Sequence, residues 1–286
     1  MIPQPTDDGS FTFFSVEFGE AFHSYHGARQ EAQKKFVEPT HLRQKAQQPL
    51  LRLLDVCYGL GYNTAAALAT IWAVNPSCYV EVVGLEFNSA VPQAAIAHQL
   101  LNMWPQPIPQ ILTQLAVEHQ VQTDRLKATL LMGDARATIG LVQESGFQGD
   151  AIFLDPFSPP NCPQLWTVEF LERVAKCLYL NGMLATYSCA AAVRTALMAA
   201  GLQIGSTPAL GRRSPGTVAS WRATDYLPVL SQQEQEHLLT RAAIPYRDPH
   251  LGDETSVILQ RRQQEQHASS MEPTSRWRKR VRATGR

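Results

Sequence analysis

The residues of this chain best suited to chemistry are a glycine pair, Gly59 and Gly61, followed by three acids, Glu86, Asp134 and Asp155. The glycines lie in LLDVCYGLGYNTAAAL, Leu53 to Leu68, which reads as a buried strand, a tight turn and the start of a helix. Glycine has no Cβ, so the backbone there can turn sharply and approach a ligand. Asn63 and Thr64 are residues that open helices. A second apolar run, Val80 to Leu85, ends at Glu86, the place where an acid grips a ribose hydroxyl pair. Two ligands fit this much. A nicotinamide dinucleotide asks for a third glycine where Thr64 stands. S-adenosylmethionine carries no phosphate and asks instead for a glycine turn, a ribose acid and an acid for adenine. Asp134, in LLMGDARATI, supplies the last, so the pattern favours the methyl donor. A glycine turn with no ligand is the plain alternative, but packing does not explain acids at two successive strand ends.

The run AIFLDPFSPPNCPQLW, Ala151 to Trp166, carries the second signal. Ligands of open parallel sheets sit beyond the carboxyl ends of the strands, and Asp155 stands at such an end. Pro156, Pro159 and Pro160 fix their φ angles and stiffen the loop. A carboxylate there, beside Phe157, can orient a nucleophile against a reactive methyl and accept its proton. Asp155 is therefore the candidate catalytic residue, close to the donor, with Phe157 and Pro159 as candidate substrate contacts. Its plain alternative is a cap or loop acceptor. The DPF turn is similar to the DPPY-type turns of enzymes that methylate exocyclic amines. Elsewhere the signals are weaker. His23 and His26 suit packing or the surface, Glu31, Lys34 and Lys35 suit solvated helix positions, and Trp166 suits the core.

Strands alternating with helices must position these residues. Strands are expected at Leu50–Val56, Tyr79–Leu85, Ala128–Met132, Ala151–Leu154, Met183–Tyr187 and Thr255–Leu259. Helices are expected at 63–72, 92–101, 165–177 and 190–200. This alternation implies a mostly parallel sheet with helices on both faces and a last antiparallel strand. A long Pro/Gln-rich passage separates the second and third strands, and Asn181-Gly182 reads as a turn. Residues 1–49 form an N-terminal extension, 50–260 the main domain, and 261–286 a polar tail expected to be disordered.

The 286 residues balance 25 basic against 25 acidic side chains, so net charge selects no partner. The tail alone holds eight Lys/Arg and two Glu, which suits either phosphate contact or solubility. Five scattered cysteines form no CxxC pattern, so no structural metal is expected and a reducing, cytoplasmic setting is. No basic-then-apolar leader opens the chain, and no apolar run reaches the roughly 18 residues of a membrane span.

Taken together, GLGYNTAAAL, VVGLEFN, LLMGDAR and LDPFSPPNCPQLWTVEFLERVAKCLYLNGMLATYSCAAAVRTALMAAGLQIG resemble the MnmC-like methyltransferases of the tRNA wobble-uridine pathway. The lead-in Phe22 to Pro39 is similar too, so the likeness covers most of residues 10 to 260. The resemblance implies a Rossmann-like class I methyltransferase with a seven-stranded sheet. Its cofactor is S-adenosyl-L-methionine, its partner the tRNA anticodon loop, and its product a 5-methylaminomethyl-2-thiouridine made from the 5-aminomethyl form. Gly59, Gly61 and Asn63 would line the methionine side of the donor, Glu86 would hold the ribose, Asp134 the adenine edge, and Asp155 would face the amine. The chain looks like the form without an FAD-dependent oxidase domain. Pro156 and Tyr62 depart from residues common in the family. Rival readings are a methyltransferase of small-molecule or protein amines, an aminopropyltransferase, and a binding protein without catalysis.

Overall fold

The computed structural model describes residues 1–210, 214–222 and 227–283. Its centre is an eight-stranded sheet of β1 (Leu50–Val56), β2 (Tyr79–Glu86), β3 (Gln120–Thr123), β4 (Leu126–Met132), β5 (Gly149–Leu154), β6 (Leu178–Thr186), β7 (Gln203–Thr207) and β8 (Gly216–Ser220). The spatial order is β7-β8-β6-β5-β1-β2-β4-β3. The inner run from β6 through β5, β1 and β2 to β4 is parallel. β8 is antiparallel to both its neighbours, and β3 is antiparallel to β4. Strand order reverses between β1 and β5, which places a ligand crevice above their carboxyl ends.

Alternation along β1 and β5 divides the core between two layers. Leu51 and Leu53, with Ala151 and Phe153, face a layer that includes α1 (Tyr62–Val74), α3 (Ile108–Glu118) and the N-terminal residues Phe13, Phe36 and Leu42. Leu54 and Val56, with Ile152 and Leu154, face α4 (Ala135–Glu144), α5 (Val168–Lys176) and α6 (Ala191–Ala199). The period-2 pleat thus makes near-continuous apolar strands, as burial on both faces requires. A short helix α2 (Ala90–Ala97) follows β2.

The sheet departs from expectation at its margins. It has eight strands, because the stretch after α3 adds the polar edge strand β3. Asn181 and Gly182 lie inside β6, where the pairing register shifts between Leu178 and Met183, so they make an irregularity and no turn. The last strand, β8, is antiparallel and all of it is buried, and β3 is antiparallel too. Residues 255–259 do not close the sheet; they begin α8 (Thr255–Ala268). The run TSVIL is too short to separate strand from helix, and the helix formers QRRQQEQ that follow decide it. Ile258 alone of this helix is fully buried. The boundary expected at 260/261 therefore falls within a helix.

The disorder expected over 261–286 is also corrected. After α8 comes α9 (Thr274–Ala283), which buries Trp277 and Val281, four residues apart on one face. Trp277 stacks on His237 of α7 (Gln232–His237), with ring centroids 4.6 Å apart. Burial of an aromatic ring offsets the ordering cost that polar composition alone left unbalanced. Residues 284–286 lie outside the described residues.

Candidate active site

A cavity of about 750 Å³ opens above the carboxyl ends of β1, β2, β4 and β5, roofed by N-terminal residues between Met1 and Glu31. Its volume suits a ligand of nucleoside-derivative size. On its floor, Gly59 adopts φ +57 and Gly61 φ +83, left-handed backbone that favours glycine. Gly59 lines the cavity, whereas Gly61 does not. A Cβ on Gly61 would come within 2.6 Å of the Tyr58 hydroxyl, so this glycine lets the Tyr58 ring pack under the turn. Gly61 also caps α1, which opens at Tyr62, one residue earlier than expected.

Asn63 is buried and does not face the cavity. Its amide donates to Asp155 Oδ2 at 2.9 Å, from below. Beside it, Thr64 Oγ1 donates to Asp55 Oδ2 at 2.7 Å. Asp55 is completely buried, and burial pushes its pKa up to about 7 against the opposing hydrogen bonds of Thr64.

Glu86 lines the cavity at the tip of β2. Its Oε2 accepts from the Gly59 N–H and its Oε1 from the Asn88 N–H, both at 2.8 Å. The Phe87 N–H also acts on this carboxylate, which still faces the cavity, where it can accept from a ribose hydroxyl. Burial raises the Glu86 pKa, opposed by these backbone donors. Asp134 also lines the cavity, and it caps α4 by accepting from the Arg136 N–H at 2.9 Å. Arg136 pairs with it at 2.7 Å and with buried Asp248 at 2.9 Å. Burial would raise the Asp134 pKa, but the Arg136 hydrogen bonds and charge hold it below the usual carboxylate range.

The loop after β5 is pinned along its length. Asp155, at the cavity wall, is held by Asn63, and the Tyr187 hydroxyl donates to the Pro156 carbonyl at 2.9 Å. Trp166 Nε1 donates to the Phe157 carbonyl at 2.8 Å, and its indole is fully buried, as a core reading expects. The Phe157 ring stacks on Phe18 at 4.4 Å and meets the edge of Phe22 at 5.0 Å. Glu20 accepts from the Ser158 N–H at 2.9 Å, from the Ser158 hydroxyl, and from Asn161 Nδ2 at 2.8 Å. Phe157 faces the cavity; Pro159 is buried behind it and does not line the space.

Sequence reasoning missed the roof. Phe18, Glu20, Phe22 and His23 all line the cavity. The aromatic density of FTFFSVEFGEAFHSYH was the available signal. His23 is buried against Tyr62, and burial drives its pKa down to about 4, so it is neutral. Two charges expected to be solvated are buried. Glu31 accepts from the Ser24 N–H at 2.7 Å, and Lys35 Nζ donates to the Pro208 carbonyl at 2.9 Å. His26, in contrast, forms an exposed pair with Asp7.

A sheet of this order, with acids at the tips of β2, β4 and β5, defines an S-adenosylmethionine-dependent methyltransferase of class I. A family model described as S-adenosyl-L-methionine-dependent methyltransferase matches residues 93–222, which include Asp134 and Asp155. The chain belongs to the MnmC methyltransferase family. The crystal structure of MNMC2 from Aquifex aeolicus superposes with a TM-score of 0.81 at 34% identity, covering 93% of this chain and 85% of that one. The bifunctional tRNA 5-methylaminomethyl-2-thiouridine biosynthesis protein MnmC of Acidovorax sp. (strain JS42) is 30% identical over 215 residues. That match takes in 71% of this chain but only 32% of the longer protein. The uncharacterized protein MJ0670 of Methanocaldococcus jannaschii is 29% identical over 266 residues, 91% of this chain and 70% of that protein. The cofactor is S-adenosylmethionine, and the cavity fits it: a bare backbone turn at Gly59, and Glu86 facing the space at the tip of β2.

Proposed function

We propose that this methyltransferase acts on the exocyclic amine of a 5-aminomethyl-(2-thio)uridine at the wobble position of tRNA, giving the 5-methylaminomethyl form. The observation that carries the reading is Asp155, fixed by Asn63 at the wall of a cavity flanked by Phe157. The role of the bifunctional relatives in 5-methylaminomethyl-2-thiouridine biosynthesis on tRNA supports the substrate class. When bound, S-adenosylmethionine supplies a methyl group on a sulfonium, already activated for in-line attack. What remains for the protein is orientation and a proton. In our reading Glu86 holds the ribose hydroxyls and Asp134 the adenine edge. An alkylammonium must lose a proton before it can attack, and in our reading Asp155 accepts a hydrogen bond from the amine and takes that proton. Phe157, braced by Phe18 and Phe22, stiffens the apolar wall beside which the uracil ring would sit. A wobble base lies in a loop and is already partly exposed, so little unstacking is needed to reach the cavity.

The test is incubation with labelled donor and tRNA bearing or lacking the aminomethyl group, followed by nucleoside mass spectrometry. Methyl on the aminomethyl nitrogen alone is the expected result; methyl on another base, or on a protein or small amine only, refutes the substrate assignment. Asp155→Asn should lower kcat by about 10²–10⁴-fold while donor binding by calorimetry persists.

A further inference from the structure

The α9 helix carries Arg276, Arg278, Lys279, Arg280 and Arg282 and no acid. Its two large apolar side chains, Trp277 and Val281, both turn inward. Arg280 is committed to Glu236 at 3.0 Å and Glu272 at 3.1 Å. Arg276, Arg278, Lys279 and Arg282 are exposed, and their side chains have no ion-pair or hydrogen-bond partner among the described residues. Four cations thus stand on a helix whose inner face is anchored by a tryptophan. A merely solvated tail would not need that anchor.

The register of contacts gives the helix a direction. Thr274 Oγ1 meets Thr240 Oγ1 at 3.4 Å, beyond the end of α7, while Trp277 Nε1 and Arg280 Nη1 reach Glu236 within it. α9 therefore runs back along α7, antiparallel to it. The beginning of α7 is tied to the sheet: Glu234 accepts from Ser206 Oγ at 2.6 Å and pairs with buried Arg194 at 2.8 Å. Ser206 lies near the end of β7, which runs parallel to β6 because β8 opposes both. The end of β7 is on the same rim as Asp155. The end of α9 that carries Arg280 and Arg282 is therefore the end nearer the start of α7, which is anchored to that rim.

We propose that α9 is a docking ridge for the phosphodiester backbone of the tRNA whose loop enters the cavity. The inference rests on the wobble-uridine reading. A cationic face with no large apolar residue turned outward suits phosphates; a helix that lies on a membrane needs an apolar face to bury, and α9 has given both of its large apolar residues to the protein interior.

The experiment measures binding of unmodified tRNA to the full chain by fluorescence anisotropy across a salt series. It compares the parent, the variant R276Q/R278Q/K279Q/R282Q, and the charge-keeping variant R276K/R278K/R282K. Calorimetry with S-adenosylhomocysteine verifies that each variant keeps a folded donor site. Losing four phosphate contacts should reduce the slope of log affinity against log salt by about 3, and weaken binding at least roughly tenfold at moderate salt. The lysine variant should keep the parent slope. If the glutamine variant, folded by the donor test, binds with the parent's slope and affinity, the ridge is refuted while the wobble reading stands. If the parent itself binds no tRNA, both fall.

Discussion

Asn63 serves the site from beneath: it never touches the cavity, yet its amide fixes the carboxylate that does. Glu86, Asp134 and Asp155 were legible in the sequence because each ends its own apolar strand, a purely local signal. The supporting roles of Gly61, Asn63 and Pro159 were not, because whether a side chain lines a space or props its neighbour depends on contacts from other strands. The same holds for Lys35, whose acceptor is the carbonyl of Pro208, far along the chain. Asp55 supplies a pH prediction at this scale. Its folded pKa, raised by burial to about 7, exceeds the ordinary 3.8. On unfolding in this window the group releases its proton, so its contribution to stability falls as pH rises from about 4 to 7 and is flat above. Asp55→Asn keeps an acceptor for Thr64 and removes the titration. The parent's melting temperature minus the variant's should therefore fall across that window and level off beyond it. A difference independent of pH would contradict the buried-proton account.

Among elements, the N-terminal hairpin of Phe14–Ser15 and Glu20–Ala21 has more to do than pack on the domain. Through Glu20 it latches the loop after β5, and through Phe18 it braces Phe157. Glu20→Ala removes three hydrogen bonds to one carboxylate and should cost roughly 1–3 kcal/mol. A lower melting temperature and faster proteolytic cleavage between residues 14 and 22 are the expected readouts, together with a raised KM for the nucleophile; unchanged proteolysis would show that the roof does not depend on the latch. The inner strands were legible from their apolar runs and the helices between them from their sequence patterns, whereas α7, α8 and α9 were not read as helices. The outer strands were not legible. β3 reads QVQT, polar and four residues long, and β8 reads GTVAS, with no alternation because every residue is buried. Neither carries a pattern distinct from loop.

At the scale of the whole molecule, the cavity joins both layers of the core to the N-terminal roof, so a ligand there should stabilise the entire fold. S-adenosylmethionine at about 100 times its Kd contributes about 2.7 kcal/mol. For a chain of this size that is a rise of about 5 °C in melting temperature. Glu86→Gln should keep the fold and lose most of the rise, measured by thermal shift; a full rise in the variant would remove Glu86 from the binding account.

The two margins of the sheet have their own consequence. On one side the outermost strand is β3, four residues long, with Gln120, Gln122 and Thr123 exposed. On the other, the Ser206 N–H of β7 already donates to the Pro228 carbonyl at 3.0 Å, and that segment crowds Gly205. One border is too short and hydrophilic to template a neighbour, and the other is plugged by its own chain. Ribbon-to-ribbon stacking of many copies, the commonest hazard of a broad open sheet, is closed off at both ends.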